Sequence, residues 1–225
     1  MRAMILAAGR GERLRPLTAR VPKALVPVGG KPLIEHHIEK LAAAGIRELV
    51  INLSWLGAQI EEQLGDGGRF GVSIQWSREP EPLETGGGIR QALAWLGDEP
   101  FVVISADVWS DYHYDRLLNG LSTAADARLV LVPNPVHNPE GDYLLDPGAR
   151  VRAREVGAPS LTFSGIAVIA PALVRGFPPD IAFPLREALA EPIARSRVTG
   201  EVHGGHWSDA GTPERLAELR SHLGS

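Results

Sequence analysis

Apolar and polar positions alternate in blocks through the first hundred residues. The run AMILAA (3–8) predicts a buried strand. LIEHHIEKLAAAG (33–45) puts Leu33, Ile38, Leu41 and Ala42 close to one helical face and stops on Gly45, which predicts a helix. The alternation continues with a strand at ELVINLS (48–54), a helix at WLGAQIEEQLG (55–65) and a strand at VSIQWS (72–77). A helix at GGIRQALAWLG (87–97) and a strand at FVVIS (101–105) follow. Strand and helix in this order predict βαβ units and a mostly parallel sheet. Right-handed crossovers then set the ligand edge at the C-terminal ends of the strands.

The second half is less regular. RLVLVPN (128–134) and LTFSGIAVIA (161–170) predict strands, and DYLLDPGARVRAREV (142–156) a hairpin turning at Asp146-Pro147-Gly148. FPLREALAE (183–191) predicts a short helix. TPERLAELRSHLG (212–224) predicts a terminal one, with Thr212 as N-cap, Pro213 in the first turn and Gly224 as stop. The Pro/Gly-rich pieces at 133–141 and 176–184 read as loops, and no repeat or low-complexity segment is visible. A chain of 225 residues suits one substantial core, so a single domain is expected over 1–225.

Composition narrows the function classes. With 44% hydrophobic and 22% charged residues the chain is an ordinary globular one, and its net charge of −4 offers no overall field for nucleic acid or anionic membrane. There are no cysteines, which excludes disulfides, thiolate metal sites and cysteine nucleophiles. No apolar stretch approaches the ~18 residues of a membrane span. MRAMILAAG is too briefly apolar for a signal peptide, so a cytoplasmic protein is expected. The only lysines are Lys23, Lys31 and Lys40; every later positive charge is Arg or His.

The candidate chemistry begins in AAGRGERLRP (7–16). Gly9 and Gly11 follow a strand as in a dinucleotide fingerprint, but Leu14 stands where a third glycine belongs and no G-K-[ST] follows. The long Gly/Pro-rich connection from there to the first helix is of the kind kept for function. Backbone amides near Ala7, Ala8, Gly9 and Gly11 can face an anion, and Arg13, Arg15 and Lys23 can add charge-assisted contacts to phosphate oxygens. Each arginine alone reads better as a solvated surface side chain; taken together with the loop they favour an anion contact.

LAAGRGERLRPLT (6–18) followed by PKALVPVGGKPLI (22–34) resembles the signature of sugar-phosphate nucleotidyltransferases. The resemblance continues through ETGGG (84–88), VISADVW (103–109), FSG (163–165) and HWSDAGTPERL (206–216). It implies an α/β fold, a Rossmann-like three-layer sandwich with a mostly parallel mixed sheet. Residues 1–110 would form the nucleotide-binding half and 111–225 the sugar-binding half. It also implies a Mg²⁺-dependent enzyme making a UDP-sugar and pyrophosphate from UTP and a sugar 1-phosphate. For a chain of this length the sugar expected is N-acetylmuramic acid α-1-phosphate, of cell-wall recycling.

Carried onto this sequence, the resemblance assigns Arg13, Lys23 and Asp107 to catalysis and Asp107 with Asp209 to Mg²⁺, although either aspartate alone reads as a cap or turn residue. It assigns Ala7, Ala8, Gly9, Gly11, Glu12, Arg13, Lys23, Gln75, Glu84, Gly86, Gly87 and Ser105 to the nucleotide. Glu84-Thr85-Gly86-Gly87-Gly88 would then be a glycine-rich turn lying against the base; otherwise it is a helix start capped by Thr85. Around the sugar it places Asp142, Glu155, Ser164 and Gly165, against the plainer readings of a solvated hairpin and a bulge at Gly165. His203 and His206 are expected to pack rather than ligate, and Trp55, Trp76 and Trp95 to lie in the core.

Two departures from the family pattern stand out. Ser105-Ala106-Asp107 replaces the common Asn-Gly-Asp, and the second lysine of a V-E-K-P segment is missing. Sugar phosphate is then expected to meet Mg²⁺, Lys23 and an arginine such as Arg154. The competing functions are a glucose- or mannose-1-phosphate thymidylyl- or guanylyltransferase, a non-catalytic nucleotide-sugar sensor, and a dinucleotide-dependent oxidoreductase. Leu14 weakens the last of these.

Overall fold

In the computed structural model, which describes residues 1–224, the first half forms the expected units. Strand β1 (Ala3–Leu6) leads through a long loop and a two-residue ribbon, β2 (Pro27–Val28) and β3 (Lys31–Pro32), into helix α1 (Leu33–Ala43). Then come β4 (Glu48–Leu53), α2 (Gly57–Leu64), β5 (Ser73–Arg78), α3 (Glu84–Leu96) and β6 (Phe101–Ser105). The second half contains β7 (Val108–Ser110), β8 (Ala127–Val132), the hairpin β9 (Tyr143–Leu145) and β10 (Val151–Ala153), and β11 (Thr162–Ile169). It ends with α4 (Ala172–Arg175), α5 (Leu185–Ala194), β12 (Val198–Val202), β13 (Trp207–Asp209) and α6 (Pro213–His222).

One seven-stranded sheet, ordered β12-β8-β11-β6-β1-β4-β5, runs through both halves. Strands β6, β1, β4 and β5 are parallel neighbours, as are β12 and β8; β11 alone runs antiparallel to both its neighbours. The mixed, mostly parallel sheet matches the expectation. Strand pleat explains the three layers. Ala3 and Ile5 of β1 point with Ile51 and Ile104 toward Ile34, Ile38 and Leu41 of α1 and Ile60 of α2. Met4, Val50 and Val103 face the other way, toward Ile89 and Ala92 of α3 and Leu189 of α5. Both faces of the strands are therefore apolar, which is why they read as continuous hydrophobic runs.

A third cluster joins Leu14, Val26, Val28 and Leu33 to Ala210, Leu216 and Leu219. It packs α6 against the loop after β1, so the two ends of the chain meet at one place. Thr212 caps α6 as expected, its hydroxyl accepting from the Arg215 amide.

Three local expectations fail. The segment 84–88 is the first turn of α3, not a turn ahead of it. Its amides at Gly86 and Gly87 donate to Phe183 O (2.9 and 3.2 Å), so a neighbouring segment satisfies the helix start. Thr85 does not cap its own helix; its Oγ1 accepts from Leu185 N at 2.8 Å. Trp55 and Trp95 are exposed rather than core, and Trp55 Nε1 donates to Thr18 O at 3.1 Å.

Candidate active site

The loop after β1 is held open by specific bonds. Gly11 adopts φ +61°, and a Cβ there would stand 2.9 Å from Thr18 Cγ2 and 3.2 Å from Lys23 Cβ. Gly11 O accepts from Thr18 Oγ1 (2.7 Å) and Leu14 N (2.9 Å), which folds the loop back on itself. Ala7 N donates to Asn52 Oδ1 (2.7 Å), and Asn52 Nδ2 donates to Glu79 Oε1 (2.7 Å). Glu79 is buried; burial raises its pKa above the carboxylate norm, and its bonds from Leu83 N and Asn52 oppose that. With Ala7 so anchored, the amides of Ala8, Gly9 and Gly11 take no partner among the described residues. They lie along a cavity of about 790 Å³ that also meets Glu12, Arg13, Lys23, Glu84 and Ser105. Free amides and an exposed Arg13 with no partner among the described residues offer anion-binding donors on one wall of this cavity, while Glu79, Glu81 and Asp107 also line it.

A second cavity of about 780 Å³ opens on the other side of β6, between the β9–β10 hairpin, α5 and β13. Asp142, Ser164, Gly165 and Asp209 line it. Leu6, Thr85, Ser105 and Asp107 line both cavities, so the two meet at the C-terminal ends of β1 and β6. Parallel sheets gather their ligands at that edge.

Asp107 is the junction. Lys23 Nζ, 9% exposed as a residue, reaches Asp107 Oδ2 at 2.5 Å. Burial resists charge on the Asp107 carboxyl, but the Lys23 ammonium outweighs it and holds that carboxyl below its ordinary range. Asp209 arrives through a small ribbon. β13 pairs with β7 so that Asp209 sits opposite Val108, and Ala210 N donates to Asp107 O at 2.9 Å. Two carboxylates about a hundred residues apart in sequence thus come from adjacent backbone positions. Arg215 of α6 grips Asp209, with Nη2 3.0 Å from Oδ2 and Nε 2.9 Å from Oδ1. Asp209 is therefore a partner of α6, not its cap.

The donor set fits a magnesium ion. Asp209 Oδ1 is buried without a hydrogen bond of good geometry, although Arg215 Nε lies 2.9 Å and His137 Nε2 3.3 Å away. The two carboxylates stand side by side, each already charge-paired, Asp107 with Lys23 and Asp209 with Arg215, so a cation bound there would share them with those side chains. Two acids would contribute, Asp107 and Asp209. That suits Mg²⁺, which keeps most of its sphere for water and phosphate oxygens. His203 instead bonds Asp111 (2.7 Å), and His206 stacks on His222 at 3.7 Å between ring centroids.

The sugar-side residues divide. Asp142 Oδ2 accepts from Phe163 N (2.8 Å) and Oδ1 from Asn138 Nδ2 (3.2 Å), fixing the carboxylate at the cavity wall. Ser164 is buried with Oγ donating to Val130 O (2.7 Å). Gly165, at φ +81°, lies in a register break between Phe163 and Ala167, and a Cβ there would stand 2.9 Å from Ser105 Oγ. The bulge and the close approach are one feature: β11 leaves its ladder to pass Ser105.

Four of the expected residues lie elsewhere. Gln75 is exposed in a separate groove with Arg2, Glu48 and Trp95, over the N-terminal parts of β4 and β5. Its register opposite Val50, mid-strand, leaves it short of the ligand edge. Glu155 is exposed beyond the end of β10 and lines neither cavity. Gly86 and Gly87 are buried in α3 against the 181–183 segment, and Glu84 and Thr85 alone of that motif reach the cavity beside the loop after β1. Asn52 and Glu79, which anchor the loop, and His137 and Arg186, which line the second cavity, belong to none of the sequence motifs. Arg215, which grips Asp209, lies inside HWSDAGTPERL. Asn52 carries a visible signal, a polar residue inside the apolar run ELVINLS.

Residues 2–156 match the family described as nucleotidyl transferase, and the chain belongs to that family. The N-acetylmuramate alpha-1-phosphate uridylyltransferase of Neisseria meningitidis serogroup B is 46% identical over 229 residues, covering 100% of this chain and 99% of that protein. Its namesake in Caulobacter vibrioides is 34% identical, covering 98% and 96%. The crystal structure of a putative glucose-1-phosphate thymidylyltransferase from Bacillus anthracis, in complex with a sucrose, superposes with a TM-score of 0.86. Identity there is 22%, over 99% of this chain and 95% of that one. Among the described residues, no helix is long and apolar enough to cross a membrane.

Proposed function

We propose that this nucleotidyltransferase joins UTP to N-acetylmuramic acid α-1-phosphate, giving the UDP-sugar and pyrophosphate, with Mg²⁺ bound at Asp107 and Asp209. The full-length similarity to two N-acetylmuramate alpha-1-phosphate uridylyltransferases supports the choice of base and sugar. The observation that carries the reaction type is the meeting of two cavities at Asp107, with Lys23 beside it. On this reading the chain is one domain, residues 1–110 serving the nucleotide and 111–225 the sugar, working in the cytoplasm where UTP is made.

The reaction is an in-line displacement. An oxygen of the sugar phosphate attacks the α-phosphorus of UTP, the new P–O bond forms, and the bond from the α-phosphorus to the bridging oxygen breaks. The electron pair leaves with pyrophosphate. No protein nucleophile is required, so catalysis is positioning and charge neutralisation. The amides of Ala8, Gly9 and Gly11 receive the leaving phosphates, and Arg13 takes their growing charge. Lys23 holds the Asp107 carboxylate in place and faces the transferred phosphate. Ser105 and Gly165 set the wall between the substrates, Glu12 and Glu84 border the nucleotide, and Asp142 borders the sugar. Asp107 and Asp209 would hold Mg²⁺, which would supply charge neutralisation at the reacting phosphates.

The test is pyrophosphate release with UTP, dTTP, CTP and GTP against N-acetylmuramic acid, glucose and mannose 1-phosphates. UTP with the muramic acid derivative should be turned over fastest, and EDTA should stop it. Asp107→Asn and Lys23→Ala should each lower kcat by roughly 10²–10³, about 3–4 kcal/mol of barrier. A preference for GTP with mannose 1-phosphate, or near-normal turnover by both variants, overturns the reading.

A further inference from the structure

Lacking lysines beyond Lys40, the sugar-side half must recognise anions with arginine or histidine. The cationic groups at the sugar-side cavity are His137, Arg154, Arg186 and, reaching in behind Asp209, Arg215. Three of these are engaged. His137 lies against Asp209, Arg215 holds both oxygens of Asp209, and Arg154 pairs with Glu140 across two loops.

Arg186 is different. It sits in the first turn of α5, is exposed, lines the cavity, and has no acidic or hydrogen-bonding partner among the described residues. Asp142, the nearby acid on the same wall, already accepts from Asn138 and Phe163. Tyr143 is its neighbour: burial pushes that phenol up to about 12, and the charge of Arg186 opposes the rise. Arg186 thus belongs to the α5 and β9–β10 wall, whereas Lys23, Asp107 and Asp209 gather at the β6–β7–β13 edge.

A free guanidinium on a separate wall marks a second anionic position in the acceptor. The phosphate of the acceptor is drawn to the Asp107 edge, where Lys23 and the cation site lie. An arginine presents two parallel donors that match a carboxylate or a phosphate. Resting on the acceptor class proposed above, we infer that Arg186 is a specificity residue that binds the lactyl carboxylate of the sugar. The enzyme would thereby separate carboxylated sugar 1-phosphates from neutral ones.

The test compares N-acetylmuramic acid α-1-phosphate with its lactyl amide, which keeps the shape and the phosphate but loses the charge. The unaltered protein should prefer the acid by about 10- to 100-fold in kcat/KM, the range for a hydrogen bond to a charged group. In Arg186→Ala that preference should collapse, through a raised KM for the acid, while the KM for UTP stays as it was. Arg186→Lys should restore part of it. An equal loss on acid and amide in Arg186→Ala would show that Arg186 serves the phosphate, and no preference in the unaltered protein would show that the carboxylate is not read. Either result overturns the inference while leaving the uridylyltransferase reading intact. No turnover of either compound by the unaltered protein overturns both.

Discussion

Asp107 and His37 show how far one residue's surroundings set its charge. Asp107 is pulled to the ionised side by Lys23, 2.5 Å away, so its carboxylate is available for a cation across the neutral range. His37, on α1 beneath the same edge, is pushed the other way. Burial first and the Lys40 charge second lower its pKa to about 3, and its Nδ1 shares a 2.7 Å hydrogen bond with Tyr114 Oη. The unfolded chain takes up a proton at His37 near pH 6.5; the folded chain holds it off until about pH 3. Its contribution to stability is therefore complete above pH 6.5 and falls as pH drops toward 3, by about 1.4 kcal/mol per pH unit. Urea unfolding at pH 6, 5 and 4 should show a shallower loss in His37→Gln, which keeps an acceptor for Tyr114. Parallel losses in the two proteins would remove His37 from the account.

Among the elements, α3 best separates what sequence shows from what packing decides. Its existence follows from apolar spacing, but its start is set by tertiary partners: Gly86 and Gly87 donate to Phe183 O, and Leu185 N donates to Thr85 Oγ1. None of these partners is near in sequence, so the ETGGG motif looked like a free turn. The glycines serve close packing. A Cβ on Gly87 would stand 2.4 Å from Ile181 O, and one on Gly86 2.3 Å from Phe183 Cε2. The Gly87 neighbour is backbone and cannot step aside like a flexible side chain. Gly87→Ala should therefore destabilise by about 1–3 kcal/mol, despite the roughly 1 kcal/mol that alanine gains in a free helix. A midpoint in urea equal to or above that of the unaltered protein would contradict this. The same limit explains other failures. β7 and β13 are three residues long and β12 has a glycine at its centre, so pairing defines them. Gln75 was placed by family pattern although its register leaves it mid-strand, and Glu155 lies past the strand that should have carried it inward. The loop 7–23, by contrast, was legible because its glycines, arginines and Lys23 lie within one short stretch of sequence, whereas the Asn52–Glu79 bond beneath it links β4 to the residue after β5.

Across the whole molecule, α6 fastens the loop after β1 to Asp209, two parts far apart in sequence. Leu216 and Leu219 pack on Leu14, Val26 and Val28, while Arg215 of the same helix grips Asp209. On the function proposed above, a loosened α6 should thus disturb together the loop proposed to receive phosphates and the Asp209 carboxylate proposed to hold Mg²⁺. Leu219→Ala and Leu64→Ala test this, since both side chains are nearly fully buried, Leu219 in that cluster and Leu64 in the core under α2, away from both cavities. Each should cost about 2–5 kcal/mol of stability. Measured well below both melting temperatures, Leu219→Ala should also raise the KM for UTP and weaken activation by Mg²⁺, while Leu64→Ala leaves both near their original values. Because loss of a buried methyl cluster is common to the two variants, only a structural link from α6 to the site separates them. Equal kinetic effects in the pair would mean that the site answers to global stability and not to the helix that closes it.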